Sequence, residues 1–446
     1  MKFYISPSVT FDPKMGCQTT IHFRRKLSES SKEICSTEVG AFSSYIHSSF
    51  PDHLEKDWRL VTGNCIFMQP DYLRSAEKVQ DTKFILRMLM VYKDGRPVLT
   101  ACFNLTGFIA NDLKGNLHGR SRFIRTLSSG LRRSRILEKK RILICGSAFS
   151  TGEHAFFHTV DITREEAAKL IMNAAGQIIE EEEKCGISVA AILIKDFFPG
   201  SKKGLKVFKK FGFTSFEVDH NMVMPVLPTW KSIEDYMSSM NSKFRTKAKS
   251  VFNKSSVLAT RDIDIDEMIA LRSELSSLFD QVVGNADFSL GKLNLDSLPE
   301  LKRTMKDRFV CRIFEFEGKP VGFLTAIMNS NCVEAFLVGI DYNHNKALAI
   351  YNRMLFEYVK IAIEHKKSYI FFSRTASEIK STVGAYPVEM TCCIKHPGRI
   401  GNFLLNILFS YVKASPFEQR QPYLVKVEEQ TREMMSTFFV KPEEKI

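Results

Sequence analysis

The chain has 446 residues, 44% hydrophobic and 25% charged, which is globular composition on a length too great for one ordinary core. Two domains of about 200 residues each are expected. No apolar run approaches the ~20 residues of a spanning helix, and the opening residues lack an apolar signal-peptide core, so a soluble cytoplasmic protein is predicted. A formal charge of +13 attracts nucleic acid, phosphorylated cofactors or an anionic membrane surface without choosing among them. The ten cysteines form no C-x-x-C pair and are expected to be buried, reduced thiols.

In chain order, residues 1–53 show no sustained period and are expected to be a loose lead-in. Residues 84–91 and 98–105 are strand-like and joined by Lys93-Asp94-Gly95-Arg96-Pro97, a hairpin turn with Asp-Gly at its centre. The same device recurs half a chain length later, where 312–316 and 321–327 are joined by Glu317-Gly318-Lys319-Pro320. An internal duplication is the natural reading, and the following elements keep step. In the first half a strand at 141–145 is followed by a capping box at Thr163 and Glu166. A helical apolar stripe then runs through Ala167, Leu170, Ile171, Ala174 and Ile178, and a strand at 189–194 ends in Lys195-Asp196. In the second half a strand at 333–340 precedes the stripe Ala347, Tyr351, Met354, Leu355, Tyr358 and Ile361, and the strand 369–372 ends in Ser373-Arg374. Between the halves, Pro225 and Pro228 break the chain, and apolar positions from Trp230 to Phe252 predict one helix of over five turns. Residues 377–383 predict a short helix, 388–394 a strand and 400–412 an apolar-rich helix. The polar tail beyond is expected to end in disorder.

Hairpin, strand, long helix, parallel strand, short helix and last strand is an order that resembles the GNAT superfamily of N-acyltransferases, and two copies in tandem resemble its Fem-type, FemAB-like branch. Trp230-Lys-Ser-Ile-Glu-Asp-Tyr236 with the basic run Ser242 to Lys249 resembles the helix opening the second domain of FemAB-like proteins. Arg374-Thr-Ala-Ser-Glu378-Ile-Lys380 with Gly384-Ala-Tyr386-Pro387 resembles their closing motif, and Cys145-Gly146 to Gly152-Glu153-His154 resembles the glycine-bearing segment of bacterial acyltransferase-like relatives. The resemblance spans roughly residues 58–396. It implies an α+β chain of two tandem GNAT-like domains, each a mixed sheet flanked by helices. The expected bounds are 1–226, with a basic insertion near 112–141, then 227–398, and a helix and tail at 399–446.

The same resemblance implies transfer of an acyl group from acyl-CoA, such as acetyl-CoA, to an amine. One alternative is Fem-type aminoacyl transfer from tRNA to a cell-wall (peptidoglycan) precursor, and another is a catalytically degenerate pair that only binds an anion. The GNAT pyrophosphate signature is missing from both halves, which leaves Gly339, Lys346 and Lys380 as the expected cofactor contacts. Arg374, Glu378 and Tyr386 are the expected catalytic groups, with Glu378 as base and Arg374 or Tyr386 as oxyanion donor. An ordinary surface pair between Arg374 and Glu378, four residues apart, explains them equally well. Glu153, His154, Lys195, Asp196, Lys243 and Arg245 are the expected substrate-binding residues. His154 and His158 are four apart, but without H-E-x-x-H or a nearby cysteine no metal is expected. Lys243, Arg245, Lys247 and Lys249 wrap both sides of a helix and read as solvated. Arg120, Arg122, Arg125, Arg132, Arg133, Arg135, Lys139, Lys140 and Arg141 interleave with Phe123, Ile124, Leu127 and Leu131. That pattern suits tRNA or an anionic membrane surface, with a peripheral place at the inner membrane face, or a plain surface insertion. No DNA partner is expected.

Overall fold

The computed structural model describes residues 22–23, 33–78, 84–107, 140–285, 293–410 and 412–440. The basic cluster falls almost wholly outside the described residues, as does the end of the tail. The first half supplies β1 (His22–Phe23), β2 (Glu33–Val39), β3 (Phe42–His47), β4 (Phe84–Lys93), β5 (Arg96–Gly107), β6 (Lys140–Cys145), β7 (Phe156–His158), β8 (Ser188–Phe197) and β9 (Thr214–Pro225). The second supplies β10 (Ala259–Asp262), β11 (Phe309–Phe316), β12 (Lys319–Asn329), β13 (Cys332–Ile340), β14 (Tyr369–Phe371) and β15 (Tyr386–Lys395).

Both predicted hairpins form, β4 with β5 and β11 with β12. Asp94 and Gly95, at φ +49° and +76°, and Glu317 and Gly318, at +51° and +74°, put both central turn residues in the left-handed region. That turn has the twist that antiparallel strands need, and Gly adopts it without a Cβ clash. Beside each hairpin lies a parallel pair, β6 with β8 and β13 with β14. Each parallel pair is crossed over by a long helix, Arg164–Lys184 in the first half and Ile350–Glu364 in the second. Thr163 and Glu166 form the predicted capping box. Ile171, Ala174 and Ile178 of the first helix pack on Leu143, Ile192 and Ile194, as Met354, Leu355 and Ile361 of the second pack on Val333, Ile340 and Ile370.

The sheet does not divide between the halves. Its order runs β6-β8-β15-β9-β14-β13 through the centre, so the last strand of each half lies between strands of the other. β15 pairs with β8 and β9, and β9 with β15 and β14, all antiparallel. The arrangement is palindromic about the β15–β9 pair. On one face, helices of both halves build a common core in which Trp58, Phe67, Leu86 and Met88 join Leu278, Phe309 and Phe323.

Several expected elements differ. Residues 33–47 form the hairpin β2–β3 rather than a loose lead-in, extending the sheet at the edge of β4. The single helix expected from Trp230 to Phe252 is two, Ile233–Ser238 and Ser242–Lys254. The Asn241 side chain accepts from Phe244 N and starts the second helix. The second-half long helix is preceded by a short one, Tyr342–Leu348, with Ala349 left-handed at φ +49° between them. Within the polar tail, Val425–Val440 is a helix whose Met434 and Phe438 pack on Tyr369 and Phe371.

Candidate active site at the parting of two parallel strands

β14 stays beside β13 for only three residues. The register pairs Cys332 with Tyr369, Val333 with Ile370 and Glu334 with Phe371, after which β13 continues to Ile340 without it. Beyond that point β13 keeps its partner β12, where the register shifts between Leu324 and Ala326 and Leu337 N donates to Thr325 Oγ1 at 2.9 Å. Where the strands part lies a small pocket with room for about one water, lined by Phe67, Phe149, Ser150, Thr151, Glu334, Ala335, Phe336, Phe371 and Ser373. Its walls come from both halves. Ser373 Oγ and Thr151 Oγ1 share a 2.6 Å hydrogen bond across them.

Glu334 is the acid of this cleft. It is 7% exposed, and burial raises its pKa to about 7, with the bonds from Asn329 and Cys332 pulling back. Those bonds, from Asn329 Nδ2 at 3.2 Å and Cys332 Sγ at 3.5 Å, both reach Oε1. A carboxyl poised near neutrality in a cleft is what base catalysis needs.

The backbone leaving β14 is constrained: Ser373, Thr375 and Ala376 have φ of +63°, +66° and +48°. Lys380 holds this segment from below. Its Nζ donates to the carbonyls of Phe372 at 2.7 Å, Ser373 at 3.3 Å and Arg374 at 2.6 Å. Burial pulls its pKa down to about 7. Left-handed non-glycine residues in succession are costly and persist where surrounding contacts fix them.

In the first half the equivalent gap, beyond Cys145 and Ile194, is filled. Lys195 Nζ donates to the carbonyls of Ser147 at 2.6 Å and Ser150 at 2.9 Å, and lies 3.1 Å from Asp196 Oδ2. The loop from Gly146 to His154 then crosses to wall the second-half cleft. Gly152 sits in it at φ +139° with the His154 ring packed on its Cα, leaving no room for a side chain. His154 is buried beside Phe67, with Nδ1 3.3 Å from Cys65 Sγ, and burial drives its pKa down to about 4.

The other expected site residues fall as follows. Arg374 pairs with Asp196 of the first half and not with Glu378. Glu378 faces outward and pairs with Arg420, which the sequence separation concealed. Tyr386 OH bonds Thr431 Oγ1 at 2.7 Å, on the tail helix. Gly339 packs under Phe323 and Leu278, and Lys346 is exposed on the short helix. Glu153 binds Ser201 Oγ at 2.9 Å and lies 3.6 Å from Arg164. Lys243 and Arg245 ride on Ser242–Lys254, where Lys243 lies 5.9 Å over the Phe244 ring. The structure therefore gathers Lys195, Asp196 and Arg374, and leaves Glu378, Tyr386, Lys243 and Arg245 elsewhere. Glu334 was missed, although a lone acid inside the apolar run Cys332 to Ile340 was a readable signal. Among the described residues no group of three His, Cys, Asp or Glu side chains is placed to hold a metal.

Two hairpin-strand-helix-strand-helix-strand units, each with a parallel pair that parts at its C-terminal end, settle the architecture. The fold is two GNAT-like units in tandem. Among solved structures it is similar to FemX, with a TM-score of 0.46 and 10% identity over 78% of this chain and 96% of that one. It is also similar to a tandem GNAT protein from the clavulanic acid biosynthesis pathway, with a TM-score of 0.47 and 10% identity over 80% of this chain and 99% of that one. A GCN5-related N-acetyltransferase from Sphaerobacter thermophilus gives 0.41 and 8% over 80% and 97%. No family model matches the chain, and no curated protein matches its sequence. The second unit holds the pocket beside Glu334 and the first supplies part of its wall. No helix of the described residues is long and apolar enough to cross a membrane.

Proposed function

We propose that the chain is an N-acyltransferase acting on an amine, with transfer in the cleft between β13 and β14 and Glu334 as the base. The observation that supports this reading is the buried Glu334 carboxyl at the point where the strands part, facing a cleft that also holds the Ser373 and Thr151 hydroxyls. An amine arrives mostly protonated and must lose a proton before it can attack. That first proton goes to solvent; Glu334, with a pKa near 7, takes the second as the new N–C bond forms. The developing oxyanion is met by hydroxyl or backbone N–H donors along the parted strand. When the tetrahedral intermediate collapses, the bond from the carbonyl carbon to the carrier's sulfur or oxygen breaks, and the proton passes from Glu334 to the leaving group.

The donor is an acyl-CoA thioester or, as the second reading, an aminoacyl ester on tRNA. One observation favours the second. Asp341 caps the helix Tyr342–Leu348, accepting from Asn343 N at 2.9 Å and pairing with His344 at 2.7 Å. A carboxylate thus occupies the helix start where a cofactor pyrophosphate would seek free N–H groups. The acceptor is a small-molecule or cell-wall-precursor amine.

The test is incubation of the purified chain with a panel of acyl-CoAs and charged tRNAs plus amine acceptors, read by mass spectrometry, with Glu334→Gln in parallel. A CoA user is protected thermally by its donor, whereas a tRNA user binds tRNA with steep salt dependence. Transfer by wild type that survives Glu334→Gln intact refutes the base assignment. Absence of transfer with every donor refutes the enzyme reading.

A further inference from the structure

The helix Arg399–Phe409 is apolar on both faces, with Leu405, Leu408 and Phe409 turned to the protein. Its two asparagines turn inward: Asn402 Nδ2 donates to Gly212 O at 2.9 Å, its Oδ1 accepts from His396 N at 2.9 Å, and Asn406 bonds Thr214. Phe409 completes the inner face against Phe216, ring centroids 4.6 Å apart. The outer face carries Ile400, Phe403 and Leu404, which are 80%, 66% and 46% exposed. These positions are spaced as one stripe on a helix, and a stripe of that size left in water is unfavourable unless something covers it.

The charge around the stripe selects the occupant. From Lys395 to Lys413 the sequence contains Lys395, Arg399 and Lys413 and no Asp or Glu. Arg399 and Lys413 are exposed, the first just before the stripe and the second after the end of the helix. A second copy of this chain would set these cations against each other on a molecule of net charge +13, which disfavours self-association. An anionic lipid surface meets both needs, accepting apolar side chains at the acyl boundary and cations at the headgroups. A helix of this length, about 16 Å, lies in that boundary and does not span it.

We infer that Arg399–Phe409 docks the protein on an anionic membrane, with Ile400, Phe403 and Leu404 entering the headgroup layer. This surface is independent of the cleft, so it stands or falls apart from the transferase reading. The experiment uses the full chain with vesicles of phosphatidylcholine alone and of phosphatidylcholine with phosphatidylglycerol. Wild type is expected to cosediment with the phosphatidylglycerol vesicles and to be released by salt. Phe403→Glu should weaken that binding by about tenfold or more, since it takes an aromatic side chain out of the acyl boundary, with an unchanged melting temperature. In a second variant, Phe403→Trp, the emission should shift to the blue on adding the same vesicles. Wild type that ignores both vesicles, Phe403→Glu that binds as wild type does, or an unshifted Phe403→Trp spectrum each overturns the inference. So does a dimer in light scattering that Phe403→Glu converts to monomer, since the stripe would then be the seat of a second copy.

Discussion

Arg374, at the end of β14 in the second half, is ion-paired with Asp196, at the end of β8 in the first. The two junctions that end the parallel strands are thereby joined across the exchanged strands β15 and β9. Asp196 is wholly buried. Burial by itself would raise its pKa, but Arg374 and Lys195 outweigh that and hold it below the usual carboxylate range.

Arg374→Ala should therefore be strongly destabilising. It leaves a buried carboxylate with Lys195 as its remaining cation, and breaking a buried pair typically costs about 3–5 kcal/mol. The pH dependence has a definite sign. A depressed folded-state pKa gives stability that is present above the unfolded value and lost as pH falls, so the variant should lose its share of that acid-labile stability. Denaturant titrations across acid pH check this. A loss of under about 1 kcal/mol, the value of a surface pair, would contradict it.

Lys380→Met should also destabilise, because it removes the donor for three carbonyls in a left-handed stretch of backbone. Leaving buried acceptors unmet costs about 1–3 kcal/mol. Because Ser373 lines the cleft, transfer should fall along with stability. Unfolding curves that coincide with those of wild type would show that the turn holds itself.

Glu378→Gln should change little. Its carboxylate points outward to Arg420, and exposed ion pairs add little to stability. Melting temperature and turnover should both match wild type, and a large drop in turnover would return Glu378 to the site.

What the sequence reveals here is what is local. Asp94-Gly95 and Gly318 announce their turns because few other residues accept positive φ there, and Thr163 with Glu166 announces a helix start because the bonds span three residues. The exchange of β9 and β15 is not local. Alternating apolar residues say that a strand has a buried face but not which strand lies beside it, so a boundary near Pro225 and Pro228 reads as a clean cut while the sheet passes straight through. For the same reason Arg374 reads as a partner for Glu378, its neighbour one helical turn on, although the stronger partner, Asp196, comes from the other half. Glu334 is the intermediate case. Its place in an apolar strand was visible, but the parting of β13 from β14 that exposes it to a cleft is a property of three-dimensional register.

Glu334 should also leave a mark on stability that needs no substrate. Its folded-state pKa, raised by burial to about 7, lies above the unfolded value, so ionising it costs stability as pH rises between the two. Glu334→Gln should match wild type near pH 4 and be more stable by roughly 3 kcal/mol above pH 8. A stability difference that does not change with pH would mean the carboxyl is not held protonated.

The most direct test of the transfer site is the pH–rate profile of wild type and Glu334→Gln with whichever donor the panel identifies. In the wild type, kcat/KM should rise through about pH 7 to a plateau as Glu334 becomes ionised. In the variant the rate should fall by about 10²–10⁴-fold, and the step near pH 7 should vanish. A variant that turns over within a few-fold of wild type, with the step still present, would contradict the assignment of the β13–β14 cleft as the place of transfer.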